Sequence, residues 1–485
     1  MRNVFQAGLA RVIQFSHVKS ATHDSVDNEA RTQGVCVRYV DRYHDLLPLH
    51  KLNPERYPHL LESVAHGTAQ ARFDILFAFP GDRLELAADF SITLNNTRVN
   101  QPDVLDVFDD IWAKTTKNCS ADIPFTGGWF VFLAYELAAL IEPTVKLEIN
   151  RHNSPAAICT RVPAAIIRDH QLKKLVLVAE ENQEDLLEVM SEDLLQVSLT
   201  PGTEDKKILQ DIDEENPGEY LESVEKIKRY INEGDVFQVN LSRLWQGRVI
   251  KEITGADIYQ RLRKYNPAPF AGLATFPGLH VISSSPERLV KVEKQYIETR
   301  PNAGTRPRVT TQSSDNMLAK ELMSDPKERA EHVMLIDLER NDLGRVCEPG
   351  SVTVDELMVL ESYSHVHHIV SNVCGHLRKN VTPGQVIRAV FPGGTITGCP
   401  KVRCMQILAE LEQSTRGPYT GAMGYINLDG GMDLNILIRT MVLTGDQLEL
   451  RAGGGIVADS VPDRELNETR AKARGLLLAL GIDDL

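Results

Sequence analysis

No stretch of this 485-residue chain is apolar for the roughly 18 residues that a helical membrane span needs. A membrane-spanning helix is therefore excluded. The opening residues, Met1-Arg-Asn-Val-Phe-Gln-Ala-Gly-Leu-Ala, lack the pattern of a cleavable leader, and none is expected. Paired cysteine motifs are missing as well. The seven cysteines (36, 119, 159, 347, 374, 399 and 404) are scattered and odd in number, with no CxxC pair and no Cys/His group at zinc spacing. Reduced thiols in a cytoplasmic protein are the expectation. Positive charge is in deficit: 53 Lys and Arg stand against 67 Asp and Glu, a net charge of −14. Such a field argues against a nucleic-acid partner, and a small anionic ligand needs local positive charge set against it. What is present, 42% hydrophobic and 25% charged residues, matches a soluble globular protein with a full core.

Apolar runs at 72–79, 124–136, 164–167, 174–178, 236–242, 281–288, 297–306, 419–426 and 432–443 read as strands, and 448–457 reads as a strand broken by three glycines. Helices are expected after Pro217, from Pro326, over 402–411, and from Pro462 to about Leu480. Several strands follow one another without helices between them. That pattern predicts an α+β fold of stacked, largely antiparallel β-sheets flanked by outer helices, not a doubly wound sheet. The chain divides into a polar lead-in (1–35), an N-terminal region (36–180), an acidic linker (181–216) and a C-terminal region (217–485).

The stretch Phe391-Pro-Gly-Gly-Thr-Ile-Thr-Gly-Cys-Pro-Lys401 carries three glycines and two prolines before a helical pattern. Glycines let a backbone approach a ligand, and the helix N-terminus favours an anion; a tight loop packed under a helix has the same look. Glu328 and Glu331 lie three apart on one helix, as do Glu465 and Glu468 on the last, with Lys472 a turn on. Hard carboxylates at this spacing suit Mg²⁺, or form two solvated helix faces. Arg439 sits inside the apolar run 434–443, where a guanidinium needs a partner: a ligand carboxylate or a structural ion pair. His365, His367 and His368 have no softer ligands around them, so a metal site there is not expected.

Taken together, these segments resemble the chorismate-utilising enzymes. The resemblance rests on Glu328-Arg-Ala-Glu-His-Val-Met-Leu-Ile-Asp-Leu-Glu-Arg-Asn-Asp-Leu-Gly-Arg345, on Tyr363-Ser-His-Val-His-His368, on the 391–401 loop, and on Ala452-Gly-Gly-Gly-Ile-Val-Ala-Asp-Ser460 with the Glu-Thr helix after it. It covers about residues 217–476, and residues 60–180 are similar to the N-terminal domain of component I of anthranilate and aminodeoxychorismate synthases. It implies a four-layer α/β/β/α fold, chorismate as substrate and Mg²⁺ as cofactor. By the same resemblance Glu331 and Glu468 match the metal ligands, with Glu328 and Glu465 beside them. Ala303, Gly304, Thr305, Thr395, Tyr419, Arg439, Gly454, Gly455 and Lys472 match substrate-binding positions. Glu287 and His368 match polar groups near the leaving hydroxyl, Glu287 being the general-acid candidate, and Thr305 is counted with them. Gln238 stands where water-using members carry a basic lysine, which points to ammonia, delivered by a separate glutamine amidotransferase subunit.

The product divides the family. Pro392-Gly-Gly-Thr-Ile-Thr-Gly398 and Asn266-Pro-Ala-Pro-Phe270 are similar to aminodeoxychorismate synthase, which serves 4-aminobenzoate and folate synthesis. Ala303 departs from that pattern, because many such enzymes have a nucleophilic lysine there. Anthranilate synthase component I is the alternative, and a non-catalytic chorismate-binding regulator is a third reading. Leu61, Glu62 and Ser63 resemble a segment that binds feedback tryptophan.

Overall fold

The computed structural model describes residues 29–64, 72–119, 121–147, 154–197, 207–308, 311–362 and 366–482. Most of the expected lead-in lies outside these residues. Its tail forms the strand Glu29–Thr32, which turns back on Val35–Val40.

Two large sheets stack face to face, and the described strand pairs are antiparallel throughout. The first sheet runs from the N-terminal hairpin through Lys174–Glu180, Ala164–Asp169, Phe73–Ala78 and His59–Glu62. It continues in C-terminal strands: Phe270–Phe276, Leu279–Ser285, Thr440–Thr444, Gln447–Ile456, Gln238–Val249 and Leu209–Glu214. The second sheet likewise mixes the two regions, with Gly128–Leu133 beside Ala422–Asn427. The stretch 181–216, expected as a linker, supplies the helix Asp185–Gln196 and the strand Leu209–Glu214 to this body.

Alternation along the strands explains why they read as unbroken apolar runs. In Phe73–Ala78, Ile75 and Phe77 face the opposite sheet together with Phe130 and Phe132, while Leu76 and Ala78 face the helices outside. In Gly128–Leu133, Trp129, Val131 and Leu133 face the outer helices of the second sheet. The result is the expected four layers: helices, sheet, sheet, helices. Each buried Phe or Leu contributes roughly 1.5–3 kcal/mol. The last helix, Pro462–Leu480, starts at its proline and ends on Gly481 in the left-handed region (φ 88°), and Leu466, Thr469, Ala473, Leu476, Leu477 and Leu480 make its buried stripe. No helix among the described residues is long and apolar enough to cross a membrane.

Two of the connections that cross between the sheets lie side by side. The chain leaves the first sheet at Ser285 and enters the second at Arg288; it returns from Ile436 to Thr440. The crossings are bonded to each other: Ile436 N donates to Glu287 O at 3.0 Å, and Ser284 N donates to Arg439 O at 3.1 Å. Arg439 is therefore not inside a strand, as its apolar neighbours suggested. It sits at a break with φ 51°. Conversely, the three glycines at 453–455 do not break their strand: Gly453, Gly454 and Gly455 pair in register with Ser242, Leu241 and Asn240.

Candidate active site

Glu287 is held by its backbone in the first crossing, its amide donating to Ser285 Oγ at 3.2 Å. Its side chain is buried. Burial pushes its carboxyl up to about 8; the Thr395 hydroxyl and the Asn302 amide act against this, and the charge of Glu339 adds to it. Glu287 Oε1 and Thr395 Oγ1 are both buried without a hydrogen-bond partner of normal geometry. A carboxyl that stays protonated near neutral pH is able to act as an acid.

Arg439, in the second crossing, is half-buried and donates from Nη1 to Asn266 Oδ1 at 3.2 Å. Among the described residues it has no ion pair, so the structural-pair reading finds no partner. Burial lowers its pKa, as expected for a desolvated cation. Burial also holds His368 down to about 4, and the nearby charge of Arg439 acts in the same sense. His368 is thus neutral. Its Nδ1 lies 3.2 Å from Gly304 O; a carbonyl only accepts, so Nδ1 carries the proton and Nε2 is left as an acceptor. His367 turns elsewhere, to Asp315 at 3.1 Å and Ser362 at 2.8 Å, and His365 lies outside the described residues.

The acidic pairs converge. Asp325 caps the helix Pro326–Gly344 by accepting from Lys327 N at 2.9 Å, which sets the first turn bearing Glu328 and Glu331. Burial raises Glu331, and Glu328, Glu468 and Glu465 push it further up, so the two helices bring their carboxylates within electrostatic reach of one another. They are more than two separate solvated faces. Lys472 Nζ pairs with Glu468 at 2.7 Å and donates to Gly453 O at 2.9 Å. The glycine strand forms the floor: a methyl on Gly454 would lie 3.5 Å from Glu468 Oε1 and 3.7 Å from Glu465 Oε2. Gly304 (φ +60°) forms a wall, where a methyl would come within 2.8 Å of Glu328 Oε2. Among the described residues, no three His, Cys, Asp or Glu side chains are already gathered to hold a metal ion. The donor set is nevertheless all hard oxygen, and Lys472 and Lys327 offset its negative charge only in part, which fits a cation that takes few protein ligands.

The remaining candidates lie on neighbouring elements. Ala303 and Thr305 lie on the strand Asn302–Pro307, opposite Ile369 and His368. Tyr419 is buried, its hydroxyl 2.9 Å from where a methyl on Gly453 would sit, and burial pushes its phenol up to about 12. Gln238 is buried at the start of its strand; its Oε1 lacks a partner, and a methyl on Gly455 would run into its Nε2. The 391–401 loop corrects one expectation. Its glycines face protein: Gly398 (φ +125°) closes on the carbonyl of Gln238, and a methyl on Gly394 would meet Leu338 at 2.5 Å and Glu339 at 3.1 Å. What the loop offers the site is Thr395, whose carbonyl accepts from Asn240 Nδ2 at 3.1 Å.

A family model described as chorismate binding enzyme matches residues 70–478. The chain belongs to that family. It is 42% identical over 384 residues to aminodeoxychorismate synthase component 1 of Bacillus subtilis, covering 77% of this chain and 81% of that one. It is 37% identical over 442 residues to anthranilate synthase component 1 of Aquifex aeolicus, covering 87% and 89%. The crystal structure of anthranilate synthase component I from Streptococcus pneumoniae superposes with a TM-score of 0.75 at 31% identity, covering 84% and 93%. The chain is thus a chorismate-utilising enzyme with the fold of anthranilate synthase component I.

In this chorismate-binding enzyme, Leu61, Glu62 and Ser63 lie apart from the residues above. They line a cavity of about 100 Å³ between the sheets, with Arg288, Met423 and Tyr425 among the other walls. Glu62 is engaged elsewhere, accepting from Tyr259 Oη at 2.7 Å and Arg263 Nη1 at 3.1 Å. Residues that sequence reasoning missed include Glu339 and Asp342, under the 391–401 loop, and the buried pair Glu412–Arg416. The i, i+4 spacing of Glu412 and Arg416 was the available signal for the pair.

Proposed function

We propose that this enzyme aminates chorismate at carbon 4, giving 4-amino-4-deoxychorismate for 4-aminobenzoate and folate synthesis, as component I of an aminodeoxychorismate synthase. The observation that carries amination is Gln238. It is neutral, buried and packed against Gly455, at the position where a basic lysine would activate water. Without that base the nucleophile has to arrive as a neutral amine, and ammonia from a glutamine amidotransferase subunit fits. The Pro392-to-Gly398 and Pro267-to-Phe270 motifs and the relative from Bacillus subtilis support carbon 4. Ala303 favours the second reading, anthranilate, because no lysine is there to form a covalent adduct. With alanine at 303, ammonia adds directly.

In this reading Arg439 and Tyr419 hold the enolpyruvyl carboxylate, and Gly304, Thr305, Gly454, Gly455 and Lys472 surround the ring and its other carboxylate. Glu331 and Glu468, with Glu328 and Glu465 beside them, would hold Mg²⁺, which when bound supplies a counter-charge for the ring carboxylate. Glu287 gives its proton to the hydroxyl at carbon 4, which leaves as water as the C–O bond breaks and the C–N bond forms. Glu287 then recovers a proton from solvent. Neutral His368 accepts a hydrogen bond beside it. The cavity at Leu61–Ser63 is where a feedback amino acid such as tryptophan would sit.

The purified chain with chorismate, Mg²⁺ and ammonium tests the proposal. Expected is 4-amino-4-deoxychorismate by chromatography, with little pyruvate until a separate lyase is added. Stoichiometric pyruvate and fluorescent 2-aminobenzoate from the chain alone would make it an anthranilate synthase component I.

A further inference from the structure

Behind Glu287 lies a second layer of buried charge that none of the roles above uses. The helix Pro326–Gly344 runs beneath the 391–401 loop and grips it twice. Asp342, 2% exposed, pairs through Oδ2 with Lys401 Nζ at 2.5 Å, at the loop's end. One turn earlier Glu339, 6% exposed, lies under Gly394, so close that a methyl there would come within 3.1 Å of its Oε1. Gly394 precedes Thr395, the residue that faces Glu287. Two buried carboxyl groups, Glu287 and Glu339, therefore approach this loop from different elements.

We propose that Glu339 is a positioning residue for the acid: it seats the loop so that Thr395 lies against Glu287, and it sets a second carboxyl group near enough that Glu287 retains its proton until the hydroxyl departs. This rests on the reading of Glu287 as the general acid. The charges that bear on the pair are few. Glu287 faces Glu339, the Thr395 hydroxyl and the Asn302 amide; Glu339 faces Asp342, Lys401, the Thr299 hydroxyl and the Gly394 amide. Burial holds Glu339 up to about 7, and Asp342 adds to this while Lys401 opposes it. A neighbouring carboxylate disfavours ionisation, so removing its charge moves the titration of the other group.

The test is the pH profile of kcat, followed as chorismate consumption so that the product does not matter, with free ammonia held constant at each pH. Glu339→Gln removes the neighbouring charge, which makes Glu287 easier to ionise. The alkaline limb should move to lower pH by about one unit, with chorismate KM unchanged. Glu339→Asp retracts the carboxyl from Gly394 and should give a smaller shift in the same direction and a lower kcat, which keeps the test open if the glutamine variant does not fold. Wild-type limbs in the folded variants would overturn the inference. Glu287→Gln separates this from the reading beneath it. It should cut kcat at least about 100-fold and abolish the alkaline limb. If it does so while Glu339→Gln and Glu339→Asp keep the wild-type limb, only the inference about Glu339 falls. If Glu287→Gln keeps the limb, the general-acid reading falls and takes the inference with it.

Discussion

Two buried polar clusters border the 391–401 loop, and they differ in how completely their hydrogen bonds are met. In the first, Arg416 donates to Glu412 through Nε and Nη2 at 2.8 Å each, to Ile396 O and Thr420 Oγ1 at 3.2 Å, and to Asn240 O at 2.7 Å. Glu412 also accepts from the Ser242 hydroxyl at 2.8 Å. Burial alone would raise Glu412, but Arg416, with Arg451 and Ser242, more than reverses it and leaves the carboxyl below its ordinary value. In the second cluster Glu287 Oε1 and Thr395 Oγ1 have no partner of normal geometry, and Arg439 has one neutral one. Among the described residues, no ion pair opposes burial there. Both clusters cost desolvation energy. The first recovers it within the protein and is scaffold. The second leaves groups that a small anionic molecule with a departing hydroxyl would satisfy, which is where chemistry is expected.

The largest effect should come from breaking the satisfied cluster. Arg416→Met leaves Glu412 buried without its counter-charge and should destabilise the fold by about 3–5 kcal/mol, measured by urea unfolding. Because the folded pKa of Glu412 is depressed, its contribution is full above the ordinary carboxylate range and is lost as the pH falls. The gap between wild type and variant should therefore narrow on acidification. A loss under about 1 kcal/mol would erase the distinction between the clusters.

Next is the effect of Glu287→Gln on stability. Burial pushes the folded carboxyl up to about 8 from an ordinary 4.5, so its favourable contribution is present at acid pH and is lost as the pH rises between those values. The amide escapes this loss, and the variant should gain stability relative to wild type from pH about 5 to 8. A variant that loses stability over that range would put Glu287 with the scaffold. The smallest effect is expected for Arg439→Lys. It keeps the charge but loses the planar fork, and should raise chorismate KM about tenfold with the melting temperature unchanged. A lower melting temperature with unchanged KM would mark Arg439 as a structural ion.

Legibility in the sequence followed range. Apolar runs, Pro at helix starts and Gly at helix ends act within a turn or a strand, so the helix Pro462–Leu480 and the strand pair Ala164–Asp169 and Lys174–Glu180 were readable from local pattern. The acidic pairs were visible as spacing, but spacing does not say what a helix face meets; only packing turns Glu331 toward Glu465 and Glu468. The glycines of 393–398 look like a ligand cradle because close approach to a ligand and close approach to a neighbouring helix need the same missing side chain. Arg439 was misplaced because the run around it is apolar on both sides of a crossing. Each side lies in a different sheet, and no local feature separates that from a single buried strand. Glu339 passed as one more charge on a helix.

By itself the sequence determined an α+β architecture of stacked, largely antiparallel sheets with outer helices, since its strands follow one another without helices between them; the four layers came with the family resemblance. Its long motifs also determined the family, because they lie in one order along half the chain. The tertiary structure decided which charges are answered. Whether a buried Glu is held down, like Glu412, or pushed up, like Glu287, depends on which cations reach it: Arg416, four residues on, and Arg451 from a distant strand reach Glu412, and none offsets the burial of Glu287. For Glu287 that is a matter of a few ångströms between elements far apart in sequence, and its neighbours in the chain carry no record of it.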